Sequence, residues 1–245
     1  MSSLPLLVVE HEAECPPAWM GEWLQAADVE LDVRRPYAGD TLPENLTGHA
    51  GLLVLGGAMG ADDDAVHPWL SEVKALVRVA AATDVPTLGV CLGHQLCASA
   101  LGGMVTRNPR GQQVGVLDVG WTDAAAADLL VATLPRPSGA VQWNYDVVAR
   151  VPAGTVVLAR TPTGELQAAR FARTVWGVQW HPEAGVDIVE SWTTEQDRID
   201  AATRGIDLDA YLRDISQATP RLRETWVLLA DGFAAMLRSD ASVPG

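Results

Sequence analysis

Cys91 stands two residues after Gly89 and two before Gly93. A nucleophile with glycine at minus two and plus two marks a strand-to-helix elbow, here with sulfur in place of oxygen. The turn is tight, so side chains beside Cys91 must be small. The two glycines supply that room and tolerate strained dihedrals. The helix that follows turns its N-terminus to the sulfur, and its dipole favours the thiolate. About ninety residues on comes His181-Pro182-Glu183. Here Pro182 fixes the backbone between a base and an acid so that the two side chains can converge. Thiol, imidazole and carboxylate suit nucleophilic attack on an amide carbonyl. His181 accepts the thiol proton and later protonates the departing amine, while Glu183 orients His181 and stabilises its charged form.

The elements around these residues follow from hydrophobic periodicity. Pro5 to Glu10, Val29 to Arg34, Gly51 to Leu55 and Val85 to Val90 read as strands. Helices are expected after Pro16-Pro17, over 68–82 and from Leu92 to Leu101. That order predicts a mostly parallel sheet with helices on both faces. The glycine-rich run Gly56 to Gly60 follows the third strand, so it and the Cys91 elbow lie beyond the carboxyl ends of strands, where open α/β sheets bind ligands. From Met104 to Gln179 short alternating segments separated by turns read as antiparallel meanders at the sheet edge, with one short helix over Ala124 to Val131. The last of them delivers His181 to a strand end. From Ala184 on the pattern is helical, with a break predicted between a helix ending near Ile215 and a last one over Pro220 to Leu237. The expected domains are 1–184 and a helical extension, 185–245, packed on it.

Composition narrows the function classes. The chain has 245 residues, 48% hydrophobic and 20% charged, with a formal charge of −14. An acidic balance excludes a phosphate-backbone binder, which needs clustered Lys and Arg. The cysteines Cys15, Cys91 and Cys97 are odd in number, with no metal spacing, so neither a disulfide framework nor a metal site is expected. Cys97 lies roughly 240° round the helix from Cys91, at 100° per residue, and reads as core. Cys15 reads as incidental, His94 as structural, and His67 as a surface or cap residue. Asp62-Asp63-Asp64 reads as a solvated acid cluster rather than a metal site. The N-terminal stretch is no signal peptide and no apolar run spans a membrane, so a cytoplasmic protein is expected.

Leu88 to Gln95 resembles the nucleophile motif of class I glutamine amidotransferases, and Trp176 to Glu183 resembles the family's second motif. The likeness covers roughly residues 4–185 and is greatest to the free-standing type similar to the amidotransferase domain of GMP synthase. It implies an α/β flavodoxin-like fold and hydrolysis of the γ-amide of glutamine with no cofactor. Cys91, His181 and Glu183 would form the triad, and the backbone N–H groups of Gly57 and Leu92 an oxyanion hole. It places the substrate near Gly56, Gln95, Asn144 and Tyr145. Relatives of this type usually carry a His-Gly-Asp-like triplet near Trp143, whereas this chain has Asn144-Tyr145-Asp146. Tyr145 adds bulk where glycine leaves space, which points to a γ-glutamyl compound with another leaving group. The chain also lacks the Ser-Gly-Gly motif of an ATP-pyrophosphatase domain, so ammonia would pass to a separate synthetase or be released. Three functions therefore stand side by side: a glutamine amidotransferase or glutaminase, a γ-glutamyl peptide hydrolase acting on glutathione-like compounds, and a non-catalytic regulatory subunit of a synthetase. Homo-oligomer formation stays open.

Overall fold

The computed structural model describes residues 4–239. Residues 1–3, at the start of the stretch read above as no signal peptide, and residues 240–245 lie outside the described residues. In chain order the first half comprises β1 (Leu6–Val9), α1 (Ala18–Ala26), β2 (Leu31–Arg34), β3 (Gly51–Val54), α2 (Trp69–Thr83), β4 (Thr87–Val90) and α3 (Leu92–Ala100). Then come β5 (Met104–Arg107), β6 (Gln113–Asp118), β7 (Gly139–Asn144), β8 (Asp146–Arg150), β9 (Val156–Arg160), β10 (Leu166–Ala172) and β11 (Val175–Val178). The chain closes with α4 (Val186–Trp192), α5 (Glu195–Thr203) and α6 (Leu208–Ser239).

Seven strands form one sheet in the order β2-β1-β3-β4-β11-β10-β9. The first five run parallel; β10 runs antiparallel to both of its neighbours, β11 and β9. β1, β3, β4 and β11 are buried at every position, as expected of strands covered on both faces. Leu6 and Val8 join a core with Trp23 and Leu24 of α1 and Trp226 and Phe233 of α6. Leu7 and Val9 point the other way, into a core with Leu70 and Val73 of α2 and Leu96 and Cys97 of α3. The period of two thus sorts one strand between two helix layers, and the fold is α/β, flavodoxin-like.

Two expectations need correction. The segments after Met104 do not form one edge meander. β5 pairs with β8, a strand not expected from the sequence, and β6 pairs with β7, giving two separate ribbons. β11 leaves the edge altogether and lies between β4 and β10, with Trp176 opposite Leu88 and Val178 opposite Val90. Its run of four buried residues fits an interior place and not an edge. The C-terminal helix is also continuous through Pro220. A proline there removes one helical hydrogen bond at about 3 kcal/mol. Tyr211 and Ile215 before it and Leu222 and Trp226 after it enter the same core, which holds the two halves in line.

Among the described residues, no helix is long and apolar enough to cross a membrane.

Candidate active site

Because β3, β4 and β11 are neighbours running in one direction, the residues that follow them emerge side by side. These are Gly56-Gly57, Cys91, and Gln179 to His181. Cys91 takes φ 51° and ψ −104°, and its N–H donates to the Val178 carbonyl at 2.9 Å. A non-glycine residue in such a conformation costs about 1–3 kcal/mol and persists only when its surroundings enforce it. The strain therefore sits on Cys91 and not, as the sequence suggested, on the flanking glycines. Their role is close approach. A Cβ on Gly93 would lie 2.1 Å from the Val54 carbonyl oxygen, and one on Gly89 would lie 2.4 Å from the Gly93 oxygen.

His181 is tied to the sheet by its N–H, which donates to the Val141 carbonyl at 2.9 Å. Its Nδ1 lies 2.7 Å from Glu183 Oε1. The two side chains are 3% and 1% exposed. Burial alone would lower the His181 pKa, but the facing Cys91 sulfur and the Glu183 carboxylate outweigh it and hold the imidazole above its usual range. The Trp192 ring covers His181 with centroids 4.5 Å apart. A Cβ on Gly56 would lie 3.1 Å from His181 Cε1 and 3.7 Å from Cys91 Cβ, so Gly56 forms the floor between them.

Gln179 was not singled out from the sequence. Its Nε2 donates towards Cys91 Sγ at 3.7 Å, and its Oε1 accepts from Gln95 Nε2 at 3.3 Å. The Gln95 amide also donates to the Asp146 carbonyl at 3.1 Å. The signal was a polar residue directly after a fully apolar strand and level with the elbow. Gln95 thus reaches Cys91 through Gln179 while also lining the cavity.

That cavity, of about 330 Å³, is lined by Cys91, His181, Gly57, Gln95, Asn144 and Tyr145, so most of the residues expected at the site meet there. Leu92 is buried at the start of α3. Asn144 donates to Gln113 Oε1 and to the Asp146 carbonyl, leaving its buried Oδ1 without a partner. Tyr145 is held by the Arg107 guanidinium, 4.2 Å above its ring. Cys15, taken as incidental, also lines the cavity and bonds to Glu12 at 3.2 Å. Cys97 is core, and burial pushes its thiol up to about 12. In the acidic run, Asp63 accepts from the Gly60 N–H at 2.7 Å and Asp64 pairs with Lys74 at 2.6 Å. The run thus anchors the glycine loop. His67 packs against Trp69, with ring centroids 4.9 Å apart.

Two buried histidines stand behind the site. His94 lies against Phe171 at 5.1 Å, and His11 accepts from Trp69 Nε1 at 3.2 Å. Burial lowers their pKa values from 6.5 to about 4 and about 3 respectively, with His67 a smaller cause at His11. Both are neutral in the folded state, whereas the unfolded chain gains two protons as pH falls through 6.5. Their contribution is constant above that pH and turns destabilising below it, until the folded pKa values are reached. Each proton is worth about 1.4 kcal/mol per pH unit. Urea unfolding should show a loss of about 3–4 kcal/mol between pH 7 and pH 5 from these two groups. His94→Phe should remove roughly half of that slope.

Known proteins resemble this chain in sequence and in fold. The glutamine amidotransferase class-I family model matches residues 22–189. GMP synthase [glutamine-hydrolyzing] of Aeropyrum pernix is 34% identical over 162 residues, which are 62% of this chain but only 29% of that protein. The putative glutamine amidotransferase-like protein YfeJ of Salmonella typhimurium is 27% identical over 75% of this chain and 77% of its own length. A GMP synthase subunit of Halobacterium salinarum is 35% identical over 54% of this chain and 66% of its own. A glutamine amidotransferase from Thermotoga maritima, at 21% identity, shares the fold with a TM-score of 0.83 over 96% of this chain and 99% of that one. A glutamine amidotransferase from Methylobacillus flagellatus, at 25% identity, superposes with a TM-score of 0.80 over 96% of both chains. The family model spans well over half of the 245 residues, and the chain belongs to the class I glutamine amidotransferase family.

Proposed function

We propose that the protein hydrolyses the γ-amide of glutamine or a γ-glutamyl relative through a thioester on Cys91. The observation that carries this is one cavity lined by the strained Cys91 and by His181, whose Nδ1 lies 2.7 Å from the buried Glu183. His181 takes the thiol proton as sulfur adds to the γ-carbonyl. Backbone N–H groups of Gly57 and Leu92 receive the oxyanion, where two such donors are worth several kcal/mol. His181 then protonates the departing nitrogen, and water resolves the thioester to glutamate. Gly56, Gln95, Asn144 and Tyr145 border the substrate. Among the described residues, the helical extension after residue 184 acts with the preceding part as one domain, since Trp192 covers His181. The nitrogen is released or handed to a separate synthetase, as the names of the relatives that are GMP synthase subunits suggest.

The test is glutamate release from the purified chain given glutamine. Release is expected; none from any γ-glutamyl amide would reject the assignment. Glu183 Oε2 has no partner of its own, so the carboxylate's role is carried by the His181 contact. Glu183→Gln should therefore lower kcat by about 10²–10⁴ with little change in KM, as loss of the orienting acid does in other triads. Steady-state kinetics over a substrate series measures both constants.

A further inference from the structure

The cavity lining holds two chemically distinct groups. In one, Arg107 Nη1 lies 3.5 Å from Asp146 Oδ1, and the buried Asn144 Oδ1 has no donor. One cation, one anion and one open acceptor suit the carboxylate and ammonium of an α-amino acid head. The other group is Glu12 and Glu14, from the segment after β1, and Asp197 of α5. Trp192, the last residue of α4, donates its Nε1–H to the Glu14 carbonyl at 2.8 Å. Among the described residues, no Lys, Arg or His forms an ion pair with any of these three carboxylates. Glu12 accepts the Cys15 thiol, and Asp197 caps α5 through Thr194. Trp143 and Trp192 line the same cavity with aromatic rings.

Ammonia as a leaving group has no use for such a wall. Carboxylates without counter-charges beside aromatic faces attract an ammonium and repel a carboxylate. We propose that these carboxylates receive a cationic leaving group, and that the preferred substrate is the γ-glutamyl amide of a diamine or polyamine. The proposal rests on the amide-hydrolase assignment above and sets aside glutathione-like substrates, whose leaving portion is anionic. The chemistry balances without a further reagent. The Cys91 sulfur bonds to the carbonyl carbon of the γ-amide and the C–N bond breaks. The amine departs with the proton held by His181, and water splits the thioester to glutamate and free thiol.

The experiment compares kcat/KM of the full chain on four amides: glutamine and the γ-glutamyl conjugates of 1,5-diaminopentane, pentylamine and 5-aminopentanoate. The three conjugates match in length and differ in terminal charge. The diamine conjugate should exceed the pentylamine conjugate at least about tenfold, with the anionic one slowest. Glu12→Gln with Glu14→Gln should shrink the diamine-to-pentylamine ratio at least about threefold, and 0.5 M salt should shrink it too. Equal rates for the diamine and pentylamine conjugates, or a faster anionic one, would overturn the proposal. If glutamine is still hydrolysed in that case, the amide-hydrolase assignment stands and only the substrate class falls. No release from any of the four overturns both.

Discussion

Replacing Cys91 by alanine should reduce glutamate release by at least about four orders of magnitude in kcat/KM, or about 5.5 kcal/mol of transition-state stabilisation. The size follows from the absence of a substitute. Cys97 is fully buried in the core behind the sheet, with its thiol pushed up to about 12. Cys15 lines the same cavity, but burial and the Glu12 carboxylate hold its thiol far above the usual range. Neither supplies a thiolate at neutral pH. A water attacking directly would keep the oxyanion donors and the His181–Glu183 pair, which accounts for a small residue of activity and no more. Alanine should adopt the φ of 51° about as well as cysteine does, so the urea midpoint should move little. A variant that folds and keeps more than about 1% of wild-type turnover would remove Cys91 from the mechanism.

Gly93→Ala should be the most damaging single-methyl change at the elbow. Its Cβ would meet the Val54 carbonyl oxygen at 2.1 Å, inside any van der Waals contact. That oxygen belongs to β3, an interior strand packed on both sides, so the strand cannot retreat. The helix must move instead, which carries Cys91 off its place beside His181. A loss of about 3 kcal/mol or more in stability is expected, together with loss of turnover. Gly139→Ala is the control. A Cβ there lies 3.5 Å from the nearest atom, Val116 Cγ1, so its urea curve should overlay the wild type. If Gly93→Ala did the same, close approach would not explain the elbow glycines.

Much of this geometry could be read from residue order because it depends on local chemistry. The Gly89-x-Cys91-x-Gly93 spacing implies a strand-to-helix turn wherever it falls in the sheet. Apolar runs such as Leu6 to Val9 specify burial without a partner being named. The sheet order was harder to read. The run Val175 to Val178 satisfies an edge position or an interior one until its neighbours are known, and only β4 and β10 on either side decide it. Pro220 misled for a related reason: helix propensity argues for a break there, and tertiary packing of Ile215 and Trp226 overrides it. Cys15, Glu12 and Trp192 were invisible as cavity residues because they come from segments far apart in the chain. Their meeting depends on how the loop after β1 and the helices after His181 fold over the strand ends.

The placement of β11 has a consequence for a chain still being made. Cys91 is fixed by strands β3 and β4, but its N–H bonds to Val178, and His181 and Glu183 arrive only with β11. A nascent polypeptide that has passed Cys91 by some eighty residues therefore carries the sulfur without the proposed base and acid or the Val178 pairing of its backbone. Insertion of β11 between β4 and β10 is a long-range event, of the kind that forms late and slowly. In the proposed mechanism the thiol is thereby disarmed until Glu183 has been made. Reactivity would then appear only when the sheet is closed, so completion of the sheet and arming of the sulfur would be one event.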